Sequence, residues 1–133
     1  DIIVNDKGDN VAPQKLEGML TLQPEIAQAM VSGDKRPYMV ALVVPDAEWL
    51  KEWAAASGKP ADLAALRGDN GFRAAIKAAI DRTNADLSVI EKVRKFELAD
   101  APFSVENNQL TPTMKIRRHN IRAAYQPRLD ALY

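Results

Sequence analysis

A chain of 133 residues, 47% hydrophobic and 27% charged, is long enough for one packed domain and too apolar to stay disordered. Its 18 lysines and arginines balance 18 aspartates and glutamates, so no global field draws it to nucleic acid or an anionic membrane. With no cysteine and one histidine, His119, a disulfide framework and a cysteine zinc site are excluded, and no all-protein metal site is expected.

The first element in chain order is a hairpin over residues 1–12. β-branched residues in "DIIVND" and "VAP" flank a "KGDN" corner, where Gly8 can adopt the positive φ a tight turn needs. Pro13 suits the first position of a helix carrying Leu16, Met19 and Leu20 at helical spacing. "IAQAMVSGD" and "YMVALVVPD" read as two central strands joined by a short hairpin loop. The second is apolar on both faces, as a strand covered on both sides should be. Asp46 is placed to cap a helix with Trp49, Leu50 and Trp53 on one face and Gly58 at its end. "ADLAALRG" predicts a short helix with a glycine stop at Gly68. The following helix places Phe72, Ile76, Ala79, Ile80 and Thr83 on one buried stripe.

A third strand is predicted over Val93–Leu98. "NNQLTPT" then reads as a loop, and "KIRRHNIRAAY" as a last helix ending before Pro127. The expected fold class is therefore α+β, an α/β sandwich: an N-terminal β-hairpin, then a small central sheet of about three strands flanked by helices. The longest apolar run, "MVALVVP", falls far short of the roughly 20 residues a membrane span needs. No secretory signal is seen, and the abrupt start suggests a piece of a longer intracellular, soluble protein.

Walker-type glycine loops, GxSxG elbows and HExxH zinc motifs are all missing. Three places could still carry chemistry. The Gly8 corner would let a ligand approach the backbone, although from spacing alone a plain hairpin turn is the favoured reading. Lys115, Arg117, Arg118 and Arg122 crowd into "KIRRHNIR", as a solvated helical face or as a phosphate site. Lys115 itself follows a Thr111-Pro112-Thr113 turn, a mount suited to a lysine that must reach another cavity. From the residues alone, a reagent and a first helical charge both remain open.

Three stretches in order, "DIIVNDKGDNVAPQKLE" with its helix glutamate, "GDKRPYMVALVVPD" and "NNQLTPTMKIRR", resemble the C-terminal domain of the adenylate-forming enzymes, and within them the long-chain fatty-acid CoA ligases. The resemblance spans essentially the whole chain. It implies a mobile lid over residues 1–133, with a post-hinge hairpin at 1–12 and a catalytic-lysine loop leading into the last helix at 110–122. A fatty acid would attack the α-phosphate of ATP, giving acyl-adenylate and pyrophosphate. After the lid rotates, the thiol of CoA would take the acyl group and release AMP.

Lys115 matches the lysine of the first step, with Thr111, Pro112 and Thr113 positioning its loop. Lys7, Gly8 and Asp9 match the segment lining the pantetheine tunnel in the second step. Arg117, Arg118 and Arg122 are candidates for CoA phosphate contacts, with a structural role as the alternative. ATP, AMP and CoA would be substrates, with Mg2+, of the full-length enzyme. None is expected on this domain alone, which should be inactive without its N-terminal adenylation domain.

The implied setting is cytoplasmic, with peripheral docking on the inner membrane face as an option, and nucleic acid is not an expected partner. Other acceptors, such as a carrier protein, remain an alternative, as does a free-standing basic-helix module for phosphate-rich partners. One departure stands out. The superfamily's common form has serine-glycine before the lysine, where this chain has Thr113-Met114.

Overall fold

The computed structural model describes all 133 residues, in the order β1 (Ile3–Val4), β2 (Asn10–Val11), α1 (Pro13–Leu20), β3 (Ile26–Ser32), β4 (Met39–Pro45), α2 (Ala47–Ser57), α3 (Leu63–Leu66), α4 (Asn70–Asn84), β5 (Val93–Leu98) and α5 (Arg118–Asp130). β1 and β2 pair as the predicted small hairpin. The main sheet has the order β3-β4-β5. β3 runs antiparallel to β4, and β5 runs parallel to β4. A parallel pair needs a long crossover, and α2 to α4 supply it.

Every residue of β4 is buried, because both faces of the sheet are covered. On one face, Ala41 and Val43 meet α1, α2, α4 and the hairpin in a core of 20 buried residues. On the other, Val40, Leu42 and Val44 meet Phe103, Leu110, Ile121, Tyr125 and Leu129. The α+β sandwich expected from the sequence is the fold observed.

Local signals hold where they rest on a few neighbouring residues. Asp46 accepts a hydrogen bond from Trp49 N at 3.0 Å, and Gly58 ends α2 in the left-handed region. Trp49 and Trp53 both pack against Phe72, with ring centroids 5.2 and 5.3 Å away. The α4 stripe is buried as read. Asp69 caps α4, and the Lys59 ammonium together with the Phe72 N–H holds its carboxyl below the usual range.

The short helix α3 stops before Gly68 as read, ending at Leu66 with Arg67 still in the helical region. Two expectations need correction. The two long strands are shorter than read, because Gly33, Asp34 and Tyr38 belong to the connecting loop and Asp46 to the α2 cap. The last helix begins at Arg118 rather than Lys115, and it runs through Pro127 to Asp130. Proline removes one helical hydrogen bond there. Packing beyond it compensates: Leu129 is buried, and Arg128 donates to Asp100 Oδ1 at 2.9 Å and to the Leu98 carbonyl at 2.6 Å. Tyr133 then lies against Tyr38, and burial pushes its phenol up to about 12.

Candidate functional site

Lys115 stands at the surface in a turn built from its own backbone. Leu110 and Ile116 form a bridge at the base, with Leu110 buried in the second core. Thr111 N donates to the Lys115 carbonyl at 2.8 Å, and Met114 N to the Thr111 carbonyl at 2.8 Å. The Thr111 hydroxyl accepts from Lys115 N at 3.1 Å and lies 3.1 Å from the Thr113 hydroxyl. Each hydrogen bond removes freedom from the turn, so the lysine leaves a defined backbone. Lys115 makes no ion pair, and its side chain is free to meet an anion from outside.

Within the turn Met114 takes φ 65°, in the left-handed region. Pro112 lies exposed within it. Arg117 N donates to the Gln109 carbonyl at 2.9 Å, so the turn is tied on both sides before α5 begins. Lys115 and Arg117 therefore precede the helix, and the four cations do not form one helical face.

The Gly8 corner is built by a single buried side chain. Asn5, 7% exposed, accepts from Lys7 N at 3.0 Å and from Asp9 N at 2.8 Å through its Oδ1. Gly8 takes φ 85° with open space around it, and its N–H donates to the Asn5 carbonyl. Lys7, Gly8 and Asp9 are all exposed. The hairpin is docked on the β3–β4 loop by Lys35 N to the Val4 carbonyl at 2.8 Å and Asp6 N to the Arg36 carbonyl at 3.0 Å.

The three arginines separate. Arg117 is exposed. Arg122 lines an open cleft of about 350 Å³ with His119, Asp34 and Arg118. Arg118 turns inward, its side chain only 13% exposed, and meets Glu17. Its Nη1 and Nη2 donate to Glu17 Oε2 and Oε1 at 2.6 and 2.9 Å, and Nη1 also reaches the Val31 carbonyl at 3.2 Å. This occupancy favours the structural alternative for Arg118 and leaves Arg117 and Arg122 as the cations open to a phosphate.

Lys115 borders a second open cleft, of about 400 Å³, with Asp1, Gln14, Glu17 and Arg118. Lys7, Gly8 and Asp9 line neither cleft, although Asp1, at the start of the hairpin segment, borders both. No three acidic or histidine side chains converge to hold a metal ion. No helix is long and apolar enough to cross a membrane.

Reading the sequence for function missed the part Asn5 plays and found no partner for Glu17. The signal for Glu17 was available: Pro13, Leu16, Glu17 and Leu20 share the buried face of α1, and a carboxylate on such a face requires a partner.

Known proteins resemble this chain along essentially its whole length. The family described as the AMP-binding enzyme C-terminal domain matches residues 1–133. A long-chain-fatty-acid–CoA ligase of Mycobacterium tuberculosis is 36% identical over 135 residues, covering 100% of this chain and 22% of that protein. Human long-chain-fatty-acid–CoA ligase 1 is 32% identical over 130 residues, covering 96% of this chain and 19% of that protein. The adenylation domain of a carboxylate reductase from Mycobacterium chelonae superposes with a TM-score of 0.82 at 29% identity, covering 99% of this chain and 19% of that chain. The chain thus spans only 22% and 19% of the length of these two ligases.

Proposed function

The chain belongs to the AMP-binding enzyme C-terminal domain family, within the adenylate-forming acid–thiol ligase superfamily, and from that premise we propose that it is the mobile lid of a long-chain fatty-acid–CoA ligase. Lys115 serves the first half-reaction. There a carboxylate oxygen attacks the α-phosphorus of ATP, pyrophosphate leaves, and an acyl-adenylate forms. Negative charge shifts among the carboxylate, the α-phosphate and the leaving pyrophosphate. A fixed ammonium placed there stabilises the transition state most strongly where water is excluded.

The observation that carries this reading is an unpaired lysine on a turn closed by its own backbone and by Thr111, with no partner in its own domain. Pro112 and Thr113 complete that mount. ATP, AMP and CoA bind mainly on the adenylation domain to which the lid is joined. Mg2+ counters phosphate charge when bound, but this chain gathers no acidic cluster to hold it, so its own part is to deliver charge and shape.

In the second half-reaction the lid turns and presents Lys7, Gly8 and Asp9. The thiol sulfur of CoA attacks the acyl carbonyl, and AMP leaves. A corner without a Cβ lets the pantetheine arm pass close to the backbone. Domain rotation thereby lets one cavity run two chemistries. The exposure of Arg117 and the open cleft beside Arg122 support a role in meeting CoA phosphates. The defined backbone of each exposed loop supports this exchange of faces. Alone, the lid lacks the catalytic cavity and is inactive.

A second reading keeps the adenylation step and changes the acceptor to the pantetheine of a carrier protein. It is favoured by the similarity to the carboxylic acid reductase of Segniliparus rugosus, solved as an A-PCP didomain in complex with AMP, with a TM-score of 0.79 at 28% identity over 99% of this chain and 17% of that one. Offering CoA and a carrier protein in parallel separates the two acceptors. The test of the lysine joins the chain to its adenylation domain and compares wild type with Lys115→Ala. Fatty-acid-dependent ATP–pyrophosphate exchange should fall by about a hundred- to a thousand-fold. Thioester formation from supplied acyl-adenylate should survive. Survival of both half-reactions would remove Lys115 from the mechanism.

A further inference from the structure

Glu17 is a buried carboxylate, 8% exposed, on the apolar face of α1. Besides gripping Arg118 with both oxygens, it accepts Val31 N at 2.7 Å through Oε2. Arg118 returns a bond to the Val31 carbonyl, so one carboxylate and one guanidinium engage both polar groups of a single β3 residue. The pair therefore joins α1, the β3 edge and the first residue of α5. α1 follows the Gly8 hairpin directly, and α5 follows the Lys115 turn directly.

Packing alone does not call for a charge pair here, since hydrophobic residues of similar volume often serve a buried site equally well. A two-pronged Arg–carboxylate contact adds direction: it fixes the angle and position of the helix start. The Lys115 turn is stiff internally, so its placement as a unit depends on its two feet. Leu110 anchors one foot in the second core. Arg118 anchors the other.

We propose that Glu17 is a positioning residue for Lys115, acting through Arg118 to hold the lysine turn at a set place relative to the hairpin. The proposal rests on the reading of Lys115 as the adenylation lysine. The Gly8 corner has its own ties, to Asn5 and to the β3–β4 loop, and Arg118 reaches the hairpin segment at Asp1 alone, Nε to Oδ2 at 3.3 Å, not at the corner. Loss of the grip should therefore damage adenylation far more than thioester formation.

Glu17→Gln keeps the shape and an acceptor for Val31 N while removing the charge that holds Arg118. In the chain itself, amide hydrogen exchange around Lys115 to Arg118 should quicken by about tenfold, with the β4 and α4 amides unchanged. In the enzyme joined to its adenylation domain, ATP–pyrophosphate exchange should fall by about a hundredfold, the scale of a displacement near 1 Å. Thioester formation from supplied acyl-adenylate should stay within about threefold of wild type. Arg118→Lys, which keeps the charge and loses the fork, should show the same split and replaces Glu17→Gln if that variant does not fold.

Lys115→Ala run alongside separates the two ideas. If it abolishes exchange while Glu17→Gln spares it, or lowers both half-reactions alike, positioning is overturned and the lysine reading stands. If Lys115→Ala leaves exchange intact, the lysine reading fails and the positioning role falls with it.

Discussion

At the Gly8 corner the left-handed backbone, φ 85°, falls on a residue without a Cβ; at the Lys115 turn the same region, φ 65°, falls on Met114. For an L-residue this conformation costs about 1–2 kcal/mol. Met114 is 69% exposed, so its side chain offsets little of that by burial. The corner is relaxed and organised by one buried asparagine, whereas the lysine turn is strained and organised by a half-buried threonine. The serine-glycine of the superfamily's common form becomes intelligible here, because glycine stands where the backbone turns left-handed. This chain keeps the turn with methionine, held by the Thr111 bonds and by both feet. Two loops of similar outline thus rest on different supports, one on a buried amide and the other on backbone closure.

The largest stability effect expected from this contrast is at Asn5. Asn5→Ala removes the acceptor shared by Lys7 N and Asp9 N and should destabilise the domain by about 1–3 kcal/mol. Urea unfolding would show this as a lower midpoint at unchanged slope. A neutral result would mean that water replaces the asparagine and that the corner is organised elsewhere.

Gly8→Ala should cost about 1 kcal/mol. Since a Cβ there meets nothing within 4 Å, the loss would be backbone strain alone. Met114→Gly should act in the opposite direction and more weakly. Relief of strain is partly cancelled by the greater freedom of glycine in the unfolded chain, leaving a gain of no more than about 1 kcal/mol. Thermal unfolding of the two variants side by side tests the contrast. Equal signs for Gly8→Ala and Met114→Gly would erase it.

Much of the framework was legible because its signals are local. Pro13 starting α1, Asp46 and Gly58 bounding α2, and the five-residue stripe of α4 each depend on neighbours within a turn or two. β4 could be read as doubly covered from its unbroken apolar run. Pro127 misled because it is a strong local stop that was outweighed by context: Leu129, Arg128 and Tyr133 hold α5 together past it. Lys115 was named through a motif, but its backbone setting was not legible. The bonds that close its turn prevail over the helical pattern of the residues that follow.

The sequence by itself determined the fold class, the identity and order of the main elements, and the two surface loops where chemistry could sit. Periodicity, caps and turn residues act over a few positions and need no tertiary partner to be read. Only the tertiary structure decided that β5 lies parallel beside β4, that the hairpin rests on the β3–β4 loop, and that Arg118 faces inward. Its partner Glu17 is 101 positions away. No local rule spans that distance. A buried carboxylate must find a cation, but which one reaches it is settled by how the layers pack.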